Sequence, residues 1–293
     1  MSSERYQYRR WVLTVTALAR YPVKSCRGQQ LQTATVEPWG FEGDRRWMVV
    51  DDAGAAITAR EVHRLLLVHP ELTADGLRLR APDLPPLDVA TPTRGEHVTV
   101  DVWGSRVPAA AAAAPAHAWF SALVGRSARL VYLDDPTVRA TDPDRTRPGD
   151  RVSFADGYPL LLTTQESLDA LNGHIADGPR AAEGPLPMTR FRPSVVVAGA
   201  PAWAEDDWRM IRIGGVPFRA VKGCDRCVLT MLDPETAVKG MEPIATLARH
   251  RKWAGKTWFG INLVPDTHER RGMRVGDEIE IISASAPGDG PLR

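Results

Sequence analysis

The segment Gly223-Cys224-Asp225-Arg226-Cys227-Val228-Leu229-Thr230 concentrates the chemistry this chain can offer. Two thiols flank a carboxylate and a guanidinium, and several readings fit. A thioredoxin-like dithiol wants its cysteines at a helix start after a strand, whereas Val228-Leu229-Thr230-Met231-Leu232 has the pattern of a strand. Zinc wants about four ligands, and no second C-x-x-C or H-x-x-x-H completes a set. A single thiolate can instead bind a soft, high-valent metal while its neighbour is structural. Arg226 beside Cys227 favours that thiolate and attracts an anionic cofactor. The bland alternative is a buried pair without chemistry, because free cysteines often serve as small core residues. The segment alone does not choose.

Basic motifs recur in loops beside strands: Lys24-Ser25, Asp44-Arg45-Arg46, Thr58-Ala59-Arg60 and Arg190-Phe191-Arg192-Pro193-Ser194. Each alone reads as solvated surface charge. Together they are what an anionic ligand with a phosphate needs, namely fixed cations and backbone donors.

The elements that position these residues are mainly strands. Alternation of Val12, Thr14 and Thr16 with Leu13, Val15 and Ala17 predicts a first strand over 11–20, and another lies at 30–37. Arg46 to Asp51 is a strand closed by Asp52-Ala53-Gly54. Residues 60–68 fit a short helix or a strand, and 77–80, 86–90 and 97–103 fit short strands. The alanine run 109–114 leads into Trp119, Phe120, Leu123 and Val124 at helical spacing, which predicts one amphipathic helix ending at Gly125. A strand follows at 129–133. Residues 134–150 are rich in Asp, Pro, Arg and Thr and cannot bury a core, so they read as an exposed linker or active-site loop. Beyond them, Thr163 and Glu166 stand at capping-box spacing for a helix carrying Leu168 and Leu171, stopped by Gly173. Strands are expected at 193–198, 208–213, 217–222, 259–264 and 277–282, with a helix over 243–251.

The bulk numbers narrow the class. At 293 residues, two domains are expected, with one large β-rich unit as the alternative. Basic and acidic side chains nearly cancel, 37 against 36, which argues against a nucleic-acid partner. Three cysteines are too few and too unevenly placed for a disulfide framework, as in a reducing cytoplasm. No run approaches the ~18 apolar residues of a membrane span. Arg9 and Arg10 ahead of an apolar stretch superficially suggest a twin-arginine signal, but the stretch is short and soon meets Arg20 and Lys24. The expectation is a cytoplasmic protein free of membrane and nucleic acid.

Taken in order, the motifs resemble a known family. Tyr21-Pro22-Val23-Lys24-Ser25-Cys26, Gly43-Asp44-Arg45-Arg46-Trp47 and Thr58-Ala59-Arg60-Glu61 resemble the N-terminal β-barrel that precedes many MOSC domains. Phe154-Ala155-Asp156-Gly157-Tyr158-Pro159, Arg190-Phe191-Arg192-Pro193, the cysteine segment and Asp233-Pro234-Glu235-Thr236 resemble the MOSC domain itself. The resemblance implies an α+β, mainly β fold of two intimately packed β-barrel-like parts with a few short helices. It places an N-terminal domain over 11–133, a linker over 134–150 and a MOSC domain over 151–285. It implies a molybdenum–molybdopterin cofactor, with Cys227 as metal ligand and catalytic residue. Lys24, Ser25, Arg45, Gly157, Tyr158, Arg192 and Ser194 fall on its cofactor-binding positions. Ser194 and Ala237 depart from the family pattern, which often has Asn and Gly there. Ala237 is strained if its turn needs φ > 0.

Relatives of this architecture reduce N-hydroxylated substrates, cleaving the N–O bond by two-electron oxygen-atom transfer to molybdenum. That implies a separate electron-transfer protein of ferredoxin, cytochrome b5-like or flavin-reductase type. Asp156 and Asp225 are candidate proton donors by position. The alternative is a cofactor carrier or sulfur-handling protein without reductive turnover.

Overall fold

The aliphatic β1 (Thr14–Arg20) carries a bulge between Val15 and Ala17, so Val15 and Leu18, three apart, are both fully buried. The computed structural model describes residues 12–93, 96–286, 288 and 290–292, so Trp11 and the Arg9-Arg10 pair lie outside it. After β1 come β2 (Gln29–Leu31), β3 (Thr33–Glu37), β4 (Gly40–Phe41) and β5 (Trp47–Val50). Then follow β6 (His69–Leu72), β7 (Gly76–Ala81), β8 (Leu84–Ala90), β9 (His97–Val102) and β10 (Ser105–Ala111). Helix α1 (Ala114–Val124) and β11 (Arg129–Tyr132) end the first half. The second half begins with β12 (Leu160–Thr164), α2 (Gln165–Ala176), β13 (Val195–Ala198), β14 (Trp208–Ile213) and β15 (Val216–Asp225). It closes with α3 (Ile244–His250), β16 (Lys252–Trp253), β17 (Lys256–Pro265), β18 (Arg271–Arg274) and β19 (Ile279–Ala284).

The fold is mainly β, and its two halves share strands. The largest sheet runs β19-β14-β15-β17-β12-β13-β1-β2, with β16 beside β17. Its β1 comes from the first half yet pairs antiparallel with β13, Leu18 opposite Val195. In return β18, late in the chain, pairs with β3. One apolar core therefore joins Leu18, Val36 and Phe41 to Trp208, Phe218 and Ile261. Separate sheets, β5-β11-β10-β9 and β6-β7-β8, complete the first half around Trp47, Leu66 and Phe120.

Several local expectations are corrected. Most of the alanine run does not belong to the helix, which takes only Ala114: Ala109 to Ala111 end β10, with Ala109 and Ala110 buried opposite Val98 and His97. Sheet pairing outweighs alanine's helix propensity, and Pro115 in the first turn marks where the helix can begin. Gly125 does end it, in the left-handed region at φ 75°. The cap of α2 is Thr164, whose hydroxyl accepts from Ser167 N, while Thr163 stays in β12. Glu166 does not close a capping box; its Oε1 accepts from Gly199 N at 2.7 Å. Gly173 lies inside α2, which continues so that Ile175 can join Leu168 and Leu171 in the core. Residues 63–67 form a 3-10 turn. So do Val228–Met231, where a strand was expected after Cys227.

Candidate functional site

A cavity of about 450 Å³ opens where the two halves meet, within the usual range for small-molecule sites. Six cations line it, Lys24, Arg45, Arg60, Arg192, Lys222 and Arg226, against two carboxylates, Asp156 and Asp225. Ser25, Gly157, Tyr158, Cys224 and Cys227 also line it. The fold thus gathers the first-half motifs and the cysteine segment around one space. Ser194 is the exception. It is fully buried away from the lining, its N–H donating to Leu161 O at 2.8 Å and its hydroxyl accepting from Leu161 N at 3.4 Å. It ties β12 to the chain entering β13, and a ligand in the cavity does not reach it.

The cation wall, drawn from both halves, is built on strained backbone. Ser25, Arg45 and Arg192 are left-handed at φ 68°, 48° and 55°, and so is Trp103 at 56°. Non-glycine residues rarely adopt this region, which costs on the order of 1–3 kcal/mol each and clusters at functional sites. Interlocked hydrogen bonds hold it. Tyr21 N donates to Asp44 Oδ1 at 2.6 Å, Arg45 N to Tyr21 O at 2.7 Å and Phe154 N to Arg45 O at 2.9 Å. Arg45 also pairs with the buried Asp44 at 2.5 Å. The Tyr21 ring, missed as a site residue, carries the guanidinium groups of Arg45 at 4.5 Å and Arg192 at 4.2 Å. Gly28 permits this, since a Cβ there would lie 2.5 Å from the ring. Among the described residues no carboxylate pairs with Arg192.

Lys24 is 4% exposed, and its Nζ donates to Phe154 O at 2.8 Å and Asp156 Oδ1 at 2.5 Å. Burial pulls its ammonium down to about 8, with Asp156 opposing the shift. Partial burial pushes the Asp156 carboxyl up, but Lys24 and Arg60 outweigh it and hold it well below the usual range. Trp103, at the tip of the β9–β10 hairpin, donates Nε1 to Asp156 at 3.1 Å with Arg60 stacked at 4.4 Å. Asp225 is similarly claimed by Lys222 at 3.0 Å and Lys256 at 3.2 Å; those lysines overcome burial and depress its carboxyl. Both aspartates are therefore ionised near neutrality. Neither fits the proton-donor role their positions suggested.

The cysteine segment departs from expectation in one contact. Arg226 donates Nη1 to Cys224 Sγ at 2.8 Å and Nη2 to Phe191 O at 2.8 Å, so its charge serves Cys224 rather than Cys227. Residues two apart in extended backbone project to one side, which pairs 224 with 226. Burial pushes the Cys224 thiol up while Arg226 opposes it. Cys227 stands at the start of the 3-10 turn, its carbonyl accepting from Thr230 N at 3.1 Å and Thr230 Oγ1 at 2.9 Å. Its Sγ hydrogen-bonds to no described residue and lines the cavity. Among the described residues no three His, Cys, Asp or Glu side chains group as metal ligands, so a zinc set is lacking.

Arg139 was not foreseen at all. It lies in the stretch expected to be exposed, yet it is 4% exposed and donates to the carbonyls of the 153–156 turn. No sequence signal distinguishes it from Arg145 or Arg147 nearby.

Comparison with known proteins adds the following. Residues 12–127 match the family described as MOSC N-terminal beta barrel domain, and residues 149–280 match the MOSC domain. The chain is 33% identical to mitochondrial amidoxime-reducing component 1 of Homo sapiens over 82% of this chain and 72% of that protein. The Xenopus laevis protein of the same name is 30% identical, covering 81% and 71%. Molybdenum cofactor sulfurase of Oryza sativa subsp. japonica is 30% identical over 83% of this chain, but that is 31% of the longer relative.

Proposed function

The chain belongs to the MOSC-domain family, with an MOSC N-terminal β-barrel ahead of its MOSC domain, and from that premise we propose that it binds a molybdenum–molybdopterin cofactor and reduces N-hydroxylated compounds. The observation that carries the reading is one cavity joining the Cys227 sulfur, free of hydrogen bonds to the described residues, to a wall of cations on strained backbone. A soft sulfur ligand suits a high-valent metal, and the cations suit a phosphate-bearing pterin. The similarity to amidoxime-reducing components supports the substrate class.

When bound, the cofactor supplies two-electron redox chemistry that cleaves an N–O bond. The chain's residues do the rest. Cys227 would ligate the metal, its own carbonyl held by Thr230. Arg192, stacked on Tyr21 and without a carboxylate partner among the described residues, offers its guanidinium to the anion. Lys24, Ser25 and Arg45 line the space beside the 155–158 turn and complete the anion's surroundings. Asp156 and Asp225, held ionised by their lysines, orient those lysines rather than donate protons. Reducing equivalents come from a separate protein of the ferredoxin, cytochrome b5-like or flavin-reductase type. Three free thiols support a reducing, cytoplasmic setting, and no helix among the described residues is long and apolar enough to cross a membrane.

The test is elemental analysis for molybdenum and zinc on protein expressed with active cofactor synthesis. It is paired with pterin fluorescence and benzamidoxime turnover under a chemical reductant. Molybdenum near one per chain, pterin and amidine product are expected. Molybdenum and pterin without turnover would support the carrier or sulfur-handling reading instead, which the similarity to the rice sulfurase favours. Neither metal nor pterin overturns both.

A further inference from the structure

Four consecutive backbone carbonyls, Ser153 to Asp156, accept from two buried cations. Arg139 Nη1 donates to Ser153 O and, at 2.6 Å, to Ala155 O, while Nη2 donates to Asp156 O at 3.2 Å. Lys24 Nζ takes the remaining carbonyl, Phe154 O, at 2.8 Å. Arg139 has no carboxylate partner among the described residues, and its Nε is buried without an acceptor. A buried guanidinium with no carboxylate in ion-pair contact, Asp156 acting on it only from a distance, is costly to keep. Something in the finished site must offset that cost.

The other edge of the same turn supplies the reason. The N–H groups of Gly157 and Tyr158 donate to nothing among the described residues, and both residues line the cavity. A turn whose carbonyls are committed to buried cations and whose amides are unpaired, at residues that line a cavity, can take an oxyanion there.

We propose that Arg139 is a positioning residue: by holding the 153–156 carbonyls inward, it aims the Gly157 and Tyr158 amides at a phosphate-type oxyanion in the cavity. Its positive charge, behind the turn, reinforces the same preference. The inference rests on the cofactor reading only for the identity of the anion.

The experiment uses cofactor-free, full-length protein labelled with ¹⁵N and titrated with inorganic phosphate, with chloride at equal ionic strength as control. In wild type the Gly157 and Tyr158 amide resonances shift on phosphate addition. In Arg139→Lys the charge stays but the fork that spans three carbonyls is lost, so phosphate binds about 10- to 100-fold more weakly, as for other supporting-shell losses. Arg139→Met, if it folds, loses the response. A purely structural role would lower the melting temperature of both variants yet leave phosphate affinity of the folded protein unchanged. A folded Arg139→Lys protein with wild-type affinity overturns the proposal, as do wild-type amides at 157 and 158 that ignore phosphate. Molybdenum content of the wild type is scored separately. A phosphate response without molybdenum removes the cofactor reading and leaves this one standing.

Discussion

The cation wall and the thiol wall of the cavity differ in how firmly each chemical group is held before any ligand arrives. On the cation side, Lys24, Arg45 and Arg60 each have a carboxylate partner, and Arg45 and Arg192 share the Tyr21 ring. On the thiol side, the Cys227 sulfur makes no hydrogen bond to a described residue, and only its carbonyl is anchored, by Thr230. A pre-built wall lowers the ordering cost of binding an anion. A lone sulfur contributes little to shape but everything to ligation. On the proposed function, the difference implies that affinity for a cofactor body and capture of its metal are separable properties.

The largest effect that sharpens this comparison is Cys227→Ala. It should abolish bound molybdenum while leaving the unfolding midpoint within experimental error and pterin retention at least partly intact. Full metal content in that variant, by elemental analysis, would falsify the ligand assignment. Next comes Lys24→Met on the opposite wall. It strands Phe154 O and removes one of three partners of the Asp156 carboxylate, which keeps Arg60 and Trp103, so a stability loss of about 1–3 kcal/mol is expected in urea titrations. Pterin retention should fall about tenfold or more with it. If Lys24→Met cost metal alone and Cys227→Ala cost pterin alone, the two walls would have been assigned backwards.

A smaller effect separates lysine from arginine within the cation wall. Burial places the Lys24 ammonium at about 8, so its charge is present below that pH and lost above it. Phosphate affinity of cofactor-free protein should therefore decline as pH rises through this value. Lys24→Arg should flatten the profile, because an arginine stays charged throughout. A wild-type profile already flat across that pH would assign the anion to the arginines alone. The smallest effect lies outside both walls. Ala237 adopts φ 58°, its N–H donating to Asp233 O at 2.8 Å. Ala237→Gly relieves the left-handed strain at some cost in chain entropy, for a net gain of about 0.5 kcal/mol. Molybdenum content should not change; if it does, the 233–237 turn belongs to the thiol wall.

Much of the site was legible in the sequence because short motifs name their own chemistry. Lys24-Ser25, Asp44-Arg45 and Cys224-x-x-Cys227 could be singled out, and the fold does bring them to one cavity. Ser194 was misplaced for a simple reason. A hydroxyl beside a basic motif looks available, yet here β12 and β13 enclose it, and its bonds to Leu161 spend it on the scaffold. Arg226 was matched to the wrong cysteine because sequence adjacency hides which side of an extended segment a side chain leaves. The alanine run failed in another way. Its local helix propensity is worth a few tenths of a kcal/mol per residue, less than the pairing β10 gains between β9 and β11.

By itself, the sequence determined the period-two strands, the stop at Gly125, the near-zero net charge and the residue types that can ligate a soft metal or an anion. These follow from local sterics and composition, which every stretch of chain carries with it. Only the tertiary structure decided that β1 completes the second half's sheet, that Ser194 is scaffold, and that Arg139 is buried behind the 153–156 turn. Each of those depends on contacts between residues from 14 to 184 apart in the chain. Their energy comes from burial and long-range hydrogen bonds, and no window of sequence contains both partners and the solvent they exclude.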